Sequence, residues 1–201
     1  MSTGRLEAFS DGVIAILITV MVLELPIPHG TSWAALREAV PVLLSYVLSF
    51  VYLGIYWNNH HHMLQATERV SGLMLWANLH LLFWLSLVPF VTSWLGENHF
   101  AATPAAAYGI VLLASALAFF ALERVIIRTQ GHGSLVAAAV GRDLKGKASP
   151  VLYALGIGLS FLSQWLAMAV FAGVALMWLV PDRRLERTVA GRSDTAEDSL
   201  G

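Results

Sequence analysis

The sequence predicts an all-α integral membrane protein with six transmembrane helices per subunit. Three observations predict it. The 201 residues are 57% hydrophobic and only 12% charged, with a mean hydropathy of +0.68. A soluble domain carries about a quarter charged residues. Apolar stretches recur at the length a helix needs to cross hydrocarbon, roughly 20 residues. The basic residues sort to one side of a six-span arrangement.

The first span is read at residues 9–28, closed by Pro26 and Pro28. Arg5, Ser10 and Asp11 place polar groups at the mouth of this otherwise apolar helix. Ionisable groups there are costly, so they carry an assigned role. The second span, 41–62, opens on Pro41, a favourable first-turn position. The third covers 72–95, and the fourth covers 104–127 behind Pro104. The stretch 149–181 is too long for one span and splits near Leu162–Gln164 into a hairpin of two. Residues 1–181 thus form one six-helix membrane domain, and 182–201 a polar, disordered cytoplasmic tail.

Six spans put both termini on one side. That side carries Arg5, Arg69, Arg124, Arg128, Arg142, Lys145, Lys147, Arg183, Arg184, Arg187 and Arg192, and the other only Arg37. Eleven of the twelve basic residues on one side identify it as cytoplasmic. The expected location is the inner or plasma membrane, crossed several times. The first apolar run contains Asp11 and Glu24 and lacks a small-residue cleavage site, unlike a secretory signal. The absence of cysteine excludes disulfides and thiolate metal sites.

On a helical wheel, Gly12, Ile16, Thr19, Val20 and Leu23 share one face of the first helix, spread over roughly 100°. Asp11 and Ser10 lie off it. Two readings stay open. The stripe packs on a neighbouring helix, with Thr19 bonded to its own i−4 carbonyl. Or it lines a symmetric pore, with Ile16 and Leu23 as constrictions and Thr19 as a hydroxyl ring between them.

A polar set gathers at the cytoplasmic end: Ser10 and Asp11 on the first helix, Trp57, His60 and His61 on the second, Asn78 and His80 on the third. A carboxylate in lipid needs partners, and imidazole, indole and amide groups supply them. Ser10 and Asp11 are therefore expected to pin the first helix to the second and third. His60, His80 and Asp11 also have the composition of a 2-His-1-carboxylate metal set, weighed against plain structural histidines. Three consecutive histidines splay by about 100° each and cannot all face one ion. His62 is read as interfacial. Glu24 either draws cations to a pore mouth or snorkels outward. Trp33, Trp57, Trp94 and Trp178 sit near helix ends as an aromatic belt. Gly156, Gly158 and Gly173 permit close helix packing. The basic 124–147 segment is a solvated inner loop in reach of anionic lipid heads.

These residues resemble a known family. R-x-x-x-F-S-D at Arg5, Phe9, Ser10 and Asp11 looks like the signature of the TMEM175 potassium channels. W-x-x-H-H at Trp57, His60 and His61 continues it, as does N-L-x-L-L-F-x-x-S-x-x-P-F from Asn78 to Phe90. The resemblance covers residues 5–97. It implies a potassium-permeable cation channel, not an enzyme, conducting passively through a central pore. One motif per chain implies a homotetramer with four copies of the first helix around the pore. It implies pore constrictions at Ile16, Thr19 and Leu23, beside Val20. It also implies that the signature residues Arg5, Phe9, Ser10, Asp11, Trp57, His60, His61 and Asn78 tie helices together. No cofactor, tightly bound metal or nucleic-acid partner is expected; potassium ions, membrane lipid and three further copies are. A proton pathway or secondary transporter is the alternative, and a histidine–carboxylate metalloenzyme a more distant one. No T-V-G-Y-G filter is present, so a carbonyl cage is excluded.

Overall fold

The computed structural model describes residues 2–131 and 144–179. Arg142, Arg183, Arg184, Arg187, Arg192 and the 182–201 tail lie outside them. The described residues form eight helices and no strand.

Helix α1 runs Thr3–Leu23. It starts six residues before the sequence-read boundary, so Ser10 and Asp11 lie about two turns inside it and not at its mouth. It ends earlier than read because Pro26 restricts the residue before it and cannot donate to a helix. A short helix, α2, follows at Trp33–Glu38, where the sequence reading has only a loop. The Ser32 hydroxyl caps it, accepting from the Ala35 amide at 3.3 Å. Helix α3, Val40–Gln65, has Pro41 in its first turn as expected.

The third span is interrupted. Helix α4 covers Gly72–Ser86 and α5 covers Val88–Glu97. Pro89 has no amide hydrogen to give the Leu85 carbonyl, so the ladder breaks there. Helix α6, Ala102–Gln130, ends at Gly131, whose φ of +93° lies where glycine is favoured. Helix α7, Leu144–Ser160, and α8, Gln164–Leu179, are separated by a three-residue turn at the predicted split. Four stretches are long and apolar enough to span a bilayer: α1, α3, α4 with α5, and α6.

Helix α1 packs on α3, α4 and α5, while α6, α7 and α8 form the other side of the bundle. The Thr3 hydroxyl donates to Thr67 O at 3.2 Å, and Gln130 Nε2 donates to Arg69 O at 2.9 Å. These bonds gather the start of α1, the α3–α4 turn and the end of α6 at one end of the bundle. Arg5, Arg69 and Arg128 therefore share that end. Arg37, on the α2 segment between the end of α1 and the start of α3, belongs to the other.

Phe171 is the hub of the second half. It is fully buried, and its carbonyl accepts the Tyr52 hydroxyl at 2.6 Å. A Cβ built on Gly109 would meet Phe171 Cζ at 2.6 Å, and one on Gly156 would overlap the same ring. Gly156 therefore permits close packing as the sequence suggests. Gly158 and Gly173 do not, for nothing lies within 4 Å of their added carbons. Gly156→Ala is expected to lower stability by about 1–3 kcal/mol through overpacking. Gly158→Ala should leave it unchanged. Thermal melting of the purified protein compares the two.

A second polar seam joins α3, α5 and α6. Thr92 gives its proton to Val88 O at 2.6 Å, so Ser49, 2.6 Å away, donates to Thr92. Tyr108 then donates to Ser49 at 3.0 Å. All three side chains are buried and satisfied, as groups removed from water must be.

Candidate functional site: a bare helix face and the joint behind it

Helix α1 has two contrasting sides. Leu6, Ser10, Ile14, Leu17 and Met21 recur at helical spacing and are buried against the bundle. The opposite side is bare within the protomer. Ile16 is 60% exposed and Leu23 80%, with Gly12, Thr19 and Val20 also exposed. The Thr19 hydroxyl donates to Ile16 O at 2.9 Å, an i−3 bond and not the i−4 bond read from spacing. Its proton is therefore committed, and its lone pairs remain as acceptors on the bare face.

Behind that face lies a buried joint. Ser10 donates to Leu6 O at 2.9 Å and accepts from Asn78 Nδ2 at 2.9 Å. This fixes the Asn78 amide, so its Oδ1 is the atom 2.7 Å from His60 Nε2. An amide oxygen only accepts, so the ring carries a proton on Nε2. The chain of donors runs His60 to Asn78 to Ser10 to Leu6 O. It links α3, α4 and α1, and its three side chains are fully buried.

Asp11, His61 and Trp57 lie near this joint, while Arg5 and Phe9 are on the exposed side of α1. Asp11 is half-buried, and its Oδ1 has no hydrogen-bond partner. His61 Nδ1 lies 2.7 Å from Glu7 Oε1. Trp57 stacks on His61 with ring centroids 5.9 Å apart and planes at 23°.

The His60–His80–Asp11 metal set is not assembled. His60 Nε2 is taken by Asn78. His80 is exposed and accepts from Trp84 Nε1 at 2.9 Å, one turn along its own helix. His60 on α3 and His80 on α4 thus point to different surroundings, one buried and the other exposed.

Three comparisons bear on this arrangement. The family profile "Endosomal/lysosomal potassium channel TMEM175" matches residues 5–89. A potassium channel of Chryseobacterium sp. (strain P1-3) is 53% identical, over 94% of this chain and 98% of its own length. The chain belongs to the TMEM175 family. A potassium channel of Streptomyces collinus, 36% identical over 88% of this chain and 91% of its own, agrees. So does the crystal structure of a lysosomal potassium-selective channel TMEM175 homologue from Chamaesiphon minutus. It superposes with a TM-score of 0.76 at 31% identity, over 89% of this chain and 96% of that one. With its apolar helices, this TMEM175 member is a multi-pass membrane protein.

Two groups escaped the sequence reading. Glu7 precedes Asp11 by four residues, hence by one helical turn on one face, a spacing that marks neighbours. The Ser49 seam is announced by Ser45, Ser49, Tyr52 and Tyr56, which recur every three or four residues on α3.

Proposed function

We propose that four copies of this chain form a potassium-permeable cation channel of the cell membrane, with α1 lining a central pore. The observation that carries the reading is the bare α1 face. An apolar helix in a channel family leaves one side uncovered within its own protomer, and that side holds Ile16, Thr19, Val20 and Leu23. Potassium conduction follows from the relatives, which are named for it. Each protomer crosses the membrane six times, α7 and α8 supplying the last two spans. The end carrying Arg5, Arg69 and Arg128 faces the cytoplasm, as basic residues do.

In this arrangement Ile16 and Leu23 form apolar rings. A narrow apolar ring expels water, so an ion passes only after losing part of its hydration shell. Between the rings, four Thr19 oxygens present lone pairs, because their protons are held by Ile16 O. They replace some of the lost water. The ring is both gate and filter, and nothing in it performs a covalent step. The joint of Ser10, Asn78 and His60, with Asp11, Trp57 and His61 near it, holds α1 against α3 and α4 without entering the pore, and Arg5 and Phe9 complete the signature on the exposed side of α1.

Reconstitution in liposomes tests the reading. A potassium gradient should drive passive flux, and cross-linking should trap four protomers. Thr19→Val keeps the side-chain shape but removes the oxygen, and should bring potassium and sodium fluxes closer together. A monomer that conducts, or a Thr19→Val protein with unchanged ion preference, counts against it.

A further inference from the structure

Glu7 and Asp11 stand one turn apart on α1, and His61 faces them from α3. One ligand atom from each lies within 4.8 Å of the others. These are two carboxylates and one imidazole, a donor set suited to first-row divalent ions. A further observation points to a ligand. Asp11 Oδ1 is shielded from solvent and has no hydrogen-bond partner. A shielded carboxylate oxygen without a partner is costly unless a cation meets it. The imidazole is also held in place. Trp57 stacks on it, and Glu7, itself one of the three candidate ligands, lies 2.7 Å from its Nδ1.

We propose that Glu7, Asp11 and His61 form a binding site for a divalent transition-metal ion, one per protomer, bridging α1 and α3. Metal–ligand bonds of about 2.0–2.2 Å set neighbouring donor atoms roughly 3–3.5 Å apart. Small rotations of two carboxylate tips reach that spacing from the present one. The two negative charges match the ion, and the half-buried position leaves a way in from the aqueous end of α1. The ion would clamp the first three turns of α1 to the last turns of α3. A consequence for conduction rests on the proposed role of α1 in the pore; binding itself does not.

Zinc titrated calorimetrically into the detergent-solubilised full chain tests the proposal. One zinc per protomer is expected. Loss of a ligand should weaken binding by at least the ~10–100-fold that loss of an outer-shell partner costs. Glu7→Gln and His61→Ala should each show it, whereas His62→Ala, at an exposed neighbouring imidazole, should not. Glu7 is partly exposed, so its variant keeps the test valid if Asp11→Asn fails to fold. No stoichiometric uptake, equal affinity in Glu7→Gln, or a loss confined to His62→Ala overturns the site. Potassium flux measured on the same samples reports separately on the channel.

Discussion

Ile16→Ala will raise passive cation flux through the reconstituted protein by about tenfold or more, which requires only ~1.4 kcal/mol off the barrier. Ile16 is 60% exposed on the uncovered side of α1. Around a fourfold axis, the substitution strips apolar groups from four side chains at once. Each buried methylene is worth about 0.8 kcal/mol of water exclusion, so the widened ring wets readily. Val22→Ala is the control. Val22 is also exposed on α1 but lies about 120° around the helix from Ile16. Its flux should match the parent protein. Equal fluxes for Ile16→Ala and the parent, or equal rises in both variants, would remove Ile16 from the constriction.

Asn78→Ala will be the most damaging single change at the α1 joint. It leaves the His60 Nε2 proton and the Ser10 lone pair without partners, in a place with no solvent. Each buried group so stranded costs about 1–3 kcal/mol. An ordinary inter-helix hydrogen bond in a membrane is worth only ~0.6 kcal/mol, so the penalty, not the lost bond, decides. Ser10→Ala strands one donor, the Asn78 Nδ2–H, and should destabilise less. Melting of the detergent-solubilised protein ranks the two. A melting point for Asn78→Ala no lower than that of Ser10→Ala would show that the joint contributes little.

Much of this arrangement was readable from residue order, and the reasons are specific. Helix α1 could be found because its apolar run is long, and its two sides could be told apart because polar and small residues recur at helical spacing. The hairpin between α7 and α8 was legible from length alone. Other features were not. Helix α2 has only six residues and depends on the Ser32 cap, too little signal to separate it from a loop. The interruption between α4 and α5 was signalled by Pro89, but apolar residues on both sides hid it. His80 could not be placed, because spacing gives depth along a helix and not the partner, and Trp84 took it outward. Glu7 was overlooked because one acidic residue near a helix start is usually solvated. Only the fold brings His61 to it.

The buried joint also has a direction. Every proton in it points the same way, from His60 through Asn78 and Ser10 to the Leu6 carbonyl. A Grotthuss relay needs a terminus that can take up a proton and hand it on. A backbone amide oxygen is a dead end for that traffic, and the Asn78 amide in the middle cannot shuttle one either. These side chains therefore work as a latch and not as a wire, and any hydrogen ion crossing this protein must travel by another road.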